Sequence, residues 1–276
     1  MRSLDDTIVI KAGQYDKLSF KELWLYRELF YFFAWRDIKV RYKQTAIGVA
    51  WAVLQPLLAT IIFTVFFNRV VGIKAPGDIP YAVFSYLGLM YWNLFSSSLN
   101  TISNSLLNNQ GVLTKIYFPR LIPPLSCVVL AAVDFFFAGL IFLGLMLIFG
   151  VFPNPIGIFA AIYAFVIMLS FSVGLGSFLA AVNVKYRDVK AALPFLIQIM
   201  MFVTPVIYPV ESIPEKWRLL AYLNPATGAI SSVRGGLFNL PVDWLGIALS
   251  TGVAIVILVL GIWYFKRSEK KFVDII

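Results

Sequence analysis

At 276 residues, 60% hydrophobic and 13% charged, the chain lies outside the range of soluble domains, where about 45 to 50% of residues are apolar and about 25% charged; lipid is its expected solvent. It has no histidine and one cysteine, Cys127, which removes the commonest general base and metal ligand and leaves no disulfide within one chain. Its net charge of +9 gathers at the ends of apolar runs, as membrane topology requires, and so does not point to nucleic acid.

Residues 1 to 21 are mixed and mostly polar, with Ile8-Val9-Ile10 a candidate short strand. Charges recur through the first 45 residues without a small-residue cleavage site after an apolar core, so no signal peptide is expected. Residues 26 to 45, YRELFYFFAWRDIKVRYKQT, run straight into AIGVAWAVLQPLLATIIFTVFF, residues 46 to 67, which is 22 residues without a charge. At about 1.5 Å per residue this run reaches roughly 33 Å, enough to cross a hydrocarbon core of about 30 Å. Arg36, Lys39, Arg41 and Lys43 against the single Asp37 hold its entry in the cytoplasm. Residues 22 to 43 are read as an amphipathic interface helix near the inner surface, although its charges are not confined to one clean face, the alternative being a plain stop-transfer anchor.

A second span is expected over 81 to 107. Its outer half is aromatic, and its inner half reads SSSLNTISNS. Asn93, Ser97, Asn100 and Asn104 share one helical face, which either packs closely on a neighbouring helix or forms the polar wall of a path. The loop NNQGVLTKIYFPRLIPP, residues 108 to 124, has Lys115 and Arg120 as its only charges. The third span, 125 to 149, holds Asp134 about ten residues from its cytoplasmic end, roughly 15 Å deep. No basic residue lies at matching depth along the sequence, so a hydrogen bond to another helix or a polar contact in a path is expected rather than a buried ion pair.

The fourth span, 156 to 182, carries Ser170 and Gly174, Ser172 and Gly176, and Gly176 and Ala180, each four apart, a spacing that lets helix backbones approach closely. Residues 183 to 190 form a charged inner loop. The fifth span, 193 to 210, contains Pro194, Pro205 and Pro209 and is expected to open near Thr204 to Tyr208. Pro214 can start a short helix that Asn224-Pro225 ends, and Gly235-Gly236 would end a second one. Residues 211 to 243 are therefore read as a re-entrant helical hairpin, with an ordinary external loop as the alternative. A last span covers 244 to 265. The six spans place both termini on one side with 18 Lys and Arg, against 5 on the other. That asymmetry puts both termini in the cytoplasm.

The run Arg36-Asp37-Ile38-Lys39-Val40-Arg41-Tyr42-Lys43-Gln44-Thr45, followed by Gly48, Trp51, Gln55 and Pro56, resembles the opening signature of a known family. These are the type-2 membrane subunits of ATP-binding-cassette exporters that move O-antigen, capsule and teichoic acid chains. KIYFPRLIPP at 115 to 124, Asp134-Phe135, Tyr186-Arg187-Asp188-Val189, Trp217 to Leu220 with Asn224-Pro225 and Arg234, and the ending Glu269, Phe272 and Asp274 are similar to it as well. The resemblance covers about residues 20 to 276.

It implies an all-α integral membrane protein in the bacterial inner membrane. An N-terminal arm (1 to 34) would precede a transmembrane domain (35 to 270) and a short tail (271 to 276). It implies a homodimer with two copies of a cytoplasmic ATPase, and a lipid-linked glycan as substrate. The loop 108 to 124 would carry a coupling helix that docks on the ATPase. ATP and Mg²⁺ would belong to that partner, with no cofactor here, and the chain indeed contains no GxxxxGK[ST] phosphate loop.

Within this reading, Trp51, Tyr86, Tyr91, Trp92, Asn93, Ser97, Asn100 and Asp134 are candidates for the substrate path. Arg36, Asp37, Arg41, Lys115, Arg120, Arg187 and Asp188 are candidates for ATPase docking, and Trp217, Asn224 and Arg234 for an outer gate. Three other readings compete: export of a drug or small lipid by the same machine, a passive channel, and a membrane-embedded glycosyl or acyl transferase. The last would need clustered acids or a histidine at the membrane surface.

Overall fold

Proline stands at the opening of four helices, where its missing N–H is not needed: Pro80 before Tyr81–Asn108, Pro123 in the first turn of Ile122–Ile148, Pro214 before Glu215–Ala221 and Pro225 at the start of Pro225–Phe238. The computed structural model describes residues 20–43, 50–186 and 188–275, whose regular elements are all helices, with no strand among them. The candidate strand at Ile8 to Ile10 lies outside the described residues. In order come α1 (Phe20–Leu25), α2 (Arg27–Lys43), α3 (Ala50–Phe63, continuing as π-helical turns over Thr64–Val70), α4 (Tyr81–Asn108), α5 (Gln110–Leu113) and α6 (Ile122–Ile148). Then follow α7 (Gly157–Lys185), α8 (Asp188–Val203), α9 (Glu215–Ala221), α10 (Pro225–Phe238) and α11 (Trp244–Ile275).

Ile122–Ile148, Gly157–Lys185 and Trp244–Glu269 are long and apolar enough to cross a membrane, and Leu54–Val70 is a shorter apolar helix. Their outward faces carry Ile61, Ile62, Phe136, Leu147, Phe159 and Val259, a surface far more apolar than water tolerates on a monomer. In lipid there is no hydrophobic drive to bring such helices together, so close packing and hydrogen bonds must do it.

Glycine provides the close packing. A Cβ on Gly261 of α11 would overlap the backbone of Gly174 on α7, one on Gly174 would meet Leu258, and one on Gly176 would meet Ile102 of α4. The small-residue spacing in the fourth span thus seats α7 between α4 and α11. At the centre lies α4, wrapped on nearly all sides, with Tyr86 stacked on Phe142 at 6.2 Å and Phe95 on Phe171 at 4.5 Å.

Four expectations change. The N-terminal helix breaks at Tyr26 into α1 and α2. Apolar and polar residues are spread around α2 rather than divided between two faces: it buries Phe33 and Ala34 while Tyr31, Phe32 and Trp35 stay exposed. Gly235-Gly236 does not end α10, which runs on to Phe238 and stops at Asn239 in the left-handed conformation (φ 55°). The two glycines instead admit Val242 and Ala160 at close range. Finally, α11 continues without interruption to Ile275, so the charged tail is a helical extension of the last apolar helix.

Candidate functional site

The Asn and Ser face of α4 meets a half-enclosed cavity of about 330 Å³. Gln55 and Pro56 of α3, Asn93, Ser96, Ser97 and Asn100 of α4, Asp134 and Phe135 of α6, and Pro194 and Ile197 of α8 line it, with Arg41 of α2 joining the wall. The polar stripe of α4 divides between the two roles open to it. Asn93, Ser97 and Asn100 turn to the cavity, whereas Asn104 packs inward: its Nδ2 donates to Asn100 O at 2.8 Å, and its Oδ1 accepts from Asn183 Nδ2 of α7 at 3.2 Å.

Asp134 overturns the expectation that no cation reaches its depth: it forms a half-buried ion pair. Its Oδ2 lies 2.8 Å from Arg41 Nη2, without the alignment of a hydrogen bond at that oxygen, so the contact is chiefly charge to charge. The Tyr42 hydroxyl donates to Oδ1. Sequence distance hid the pair, since α2 folds back along α6 and brings Arg41 to the depth of Asp134. Burial, and next the hydrogen bond to Asp134, push the Tyr42 phenol above the usual tyrosine range and keep it a donor. Arg41 therefore faces the cavity and α6, which corrects its placement among the docking cations.

Three aromatic candidates for the path are core residues instead. The Tyr86 hydroxyl donates to Ala138 O at 3.0 Å, that of Tyr91 donates to Ala161 O at 2.9 Å, and Trp92 is buried against Phe95. Each ring fills the space between helices, and the two phenols satisfy their polar ends on backbone carbonyls. The side chain of Trp51 and all of Arg187 lie outside the described residues.

The candidate docking residues separate in the same way. Arg36 donates twice to Asp37 Oδ1 (3.0 and 2.6 Å) and once to Asn109 Oδ1 (2.7 Å), and its guanidinium sits 4.9 Å over the Phe33 ring. This pair therefore fastens α2 to the turn after α4. Arg120 is buried, with Nη1 donating to Leu113 O at 2.5 Å, so it shapes the loop and presents no charge at its surface. Lys115 and Asp188 are exposed, together with Ile116, Tyr117 and Tyr186. Ile116 and Tyr117 were missed, although two large apolar residues beside the loop's exposed lysine are a signal a reader can use.

At the other end, Arg234 is buried and holds a non-helical stretch in place. It donates to Pro205 O (2.8 Å), Val206 O (2.5 Å) and Phe84 O (3.1 Å), and its guanidinium lies 3.6 Å over the Phe84 ring. These carbonyls belong largely to the break after α8 that the prolines create. Arg234 is thus a fastener in the protein interior. Asn224 caps α10 by accepting from Ala226 N at 3.1 Å and donates to Thr204 Oγ1 at 2.7 Å, while Trp217 is exposed.

Residues 28–238 match the family described as ABC-2 type transporter. The chain is 27% identical over 241 residues to the O-antigen export system permease protein RfbA of Klebsiella pneumoniae, covering 87% of this chain and 92% of that protein. It is 28% identical over 259 residues to the protein of the same name from Myxococcus xanthus, covering 92% and 97%. With the polysialic acid transport protein KpsM of Escherichia coli it shares 23% identity over 203 residues, covering 72% and 77%. The family match takes in every helix that lines the cavity and closes with the last residue of α10, and on that ground the chain belongs to the ABC-2 type transporter membrane family.

Proposed function

We propose that this chain is the permease subunit of an ATP-driven exporter of lipid-linked polysaccharide, O-antigen-like in character. In this reading it crosses the bacterial inner membrane six times with both termini in the cytoplasm, and α9 and α10 form a hairpin that re-enters from the outer side. It acts as a homodimer with two copies of a separate ATPase, which binds the ATP and Mg²⁺. The observation that carries the reading is the cavity lined by Gln55, Asn93, Ser97, Asn100 and Asp134 among otherwise apolar helices. Amides, hydroxyls and a carboxylate are kept away from lipid because leaving them there unpaired costs several kcal/mol each. They suit a polyhydroxylated chain, and relatives similar over most of their length are named for O-antigen export.

The pairing of Arg41 with Asp134 supports a route for force. A partner pressing on α2 and the exposed residues 114 to 117 moves a helix joined by an ion pair to the cavity wall. The test is affinity purification of the tagged chain from its own membranes, with identification of what copurifies, alongside deletion of its gene. The reading expects an ATP-binding-cassette ATPase in the complex, loss of surface polysaccharide on deletion, and lipid-linked glycan accumulating inside. A chain that purifies without an ATPase and whose loss leaves surface polysaccharide unchanged would overturn it.

A further inference from the structure

Residues 109 to 121 have little regular structure of their own. The helix α5 is four residues long, and beyond it the chain takes no helical form until Ile122. A single turn is not stable by itself in water, so bonds within the segment are not enough and contacts with other elements help it keep its shape. One of those elements is the charged end of α11, which lies 149 residues away from it in sequence.

Glu269 Oε1 accepts a hydrogen bond from the backbone N–H of Arg120 at 3.0 Å, and Oε2 of the same carboxylate pairs with Lys266 Nζ at 3.0 Å. Arg120 stands two residues before α6, where backbone N–H groups have no carbonyl of their own helix to bond and where the helix dipole favours a negative charge. Pro123 and Pro124 in the first turn of α6 bring no N–H at all, so the carboxylate meets one of the few donors this helix start offers. Three residues further on, Phe272 is buried against Phe265 with ring centroids 5.3 Å apart. It belongs to the same apolar cluster as Leu113, Phe118 and Phe33. Arg120 closes the segment from within through Leu113 O.

We infer that Glu269 and Phe272 are positioning residues for the ATPase contact: the helical extension of α11 is a brace that holds residues 109 to 121 in the shape the ATPase meets. This rests on the reading of that segment as the docking site. The brace makes the charged extension of α11 part of the coupling machinery.

The experiment uses the full-length chain in native membranes, carrying Leu113→Cys in a Cys127→Ala background. Leu113 is buried, so the rate of thiol labelling there reports how often the segment opens. In cells without the ATPase, Glu269→Ala is expected to raise the labelling rate roughly tenfold, the scale of one hydrogen bond to a charged group. Glu269→Gln keeps an acceptor for the Arg120 N–H and is expected to stay within about threefold of the parent. With the ATPase present and Leu113 and Cys127 restored, Glu269→Ala is expected to lower copurified ATPase and surface polysaccharide at equal membrane content, while Glu269→Gln restores most of both.

Unchanged labelling in Glu269→Ala would overturn the brace itself, as would identical behaviour of the Ala and Gln variants. Faster labelling with normal ATPase association, in a protein where Lys115→Glu does weaken association, would show that docking does not need the brace. If neither Lys115→Glu nor Glu269→Ala changes association, the docking reading fails and this inference falls with it.

Discussion

Removing either partner of the pair between Arg41 and Asp134 breaks the same contact, yet the two losses are predicted to differ. The Arg41 side chain is 39% exposed and that of Asp134 only 15%. Arg41→Met leaves a mostly buried carboxylate without its cation, and an orphaned charge of that kind costs about 3 to 5 kcal/mol. Asp134→Asn leaves a guanidinium that water can reach, so the loss is that of a partly screened pair, about 1 kcal/mol or less. One kcal/mol corresponds to roughly 2 to 4 °C in melting temperature for a domain of 150 to 250 residues. Arg41→Met is therefore predicted to melt roughly 6 to 20 °C lower than the parent in detergent, and Asp134→Asn no more than roughly 4 °C lower. The double variant removes the orphan and is predicted to melt above Arg41→Met alone, a coupling read directly from a double-mutant cycle. Equal losses in the two single variants, or strictly additive losses in the double, would refute the assignment of Asp134 as the buried charge of the pair.

Other substitutions test the remaining joints. Arg234→Leu strips the cation from three buried carbonyls; at least one charge-assisted hydrogen bond of about 1.5 to 3 kcal/mol is lost, and proteolysis between Thr204 and Ile213 is expected to speed up, whereas an unchanged digestion pattern would contradict the fastening role. Gly261→Leu places a side chain where the Gly174 backbone already sits and is expected to destabilise by about 3 kcal/mol or more, which a thermal melt in detergent checks. Charge reversal at the exposed Lys115 is expected to reduce ATPase copurification more than Phe149→Ala does, and equal effects would discredit the docking surface.

Membrane class was legible in the sequence because apolar run length and charge at the run ends respond directly to the bilayer; against the six spans expected, three described helices are long and apolar enough to cross it, with Leu54–Val70 a shorter apolar helix. The break after α8 was legible for a similarly local reason, since Pro205 and Pro209 withhold backbone donors wherever the chain goes. The polar face of α4 was visible as spacing alone, but its division was not. Asn100 and Asn104 differ by one turn, and only the position of Asn183 on α7 decides which of them turns away from the cavity. Arg41 and Asp134 were misjudged because depth was counted along one span, whereas α2 returns beside α6 and supplies the cation from another element. Tyr86, Tyr91 and Trp92 had a composition equally fit for a glycan path and for a core, and the carbonyls that receive the two phenols come from α6 and α7. Arg120 and Arg234 show the same limit: a lone charge among apolar residues marks a special position without telling whether it faces a partner or backbone carbonyls.

Transport itself is the most direct measure of the central claim. Purified chain and its copurified ATPase, reconstituted in proteoliposomes, are given a polyprenyl-diphosphate-linked glycan, and appearance of the glycan on the opposite leaflet is followed with a membrane-impermeant lectin. The account predicts movement that requires hydrolysable ATP and both subunits, and that is lost in a variant combining Asn93→Leu with Asn100→Leu although the complex still assembles. Glycan movement by this chain alone, or at the same rate without ATP, would contradict it.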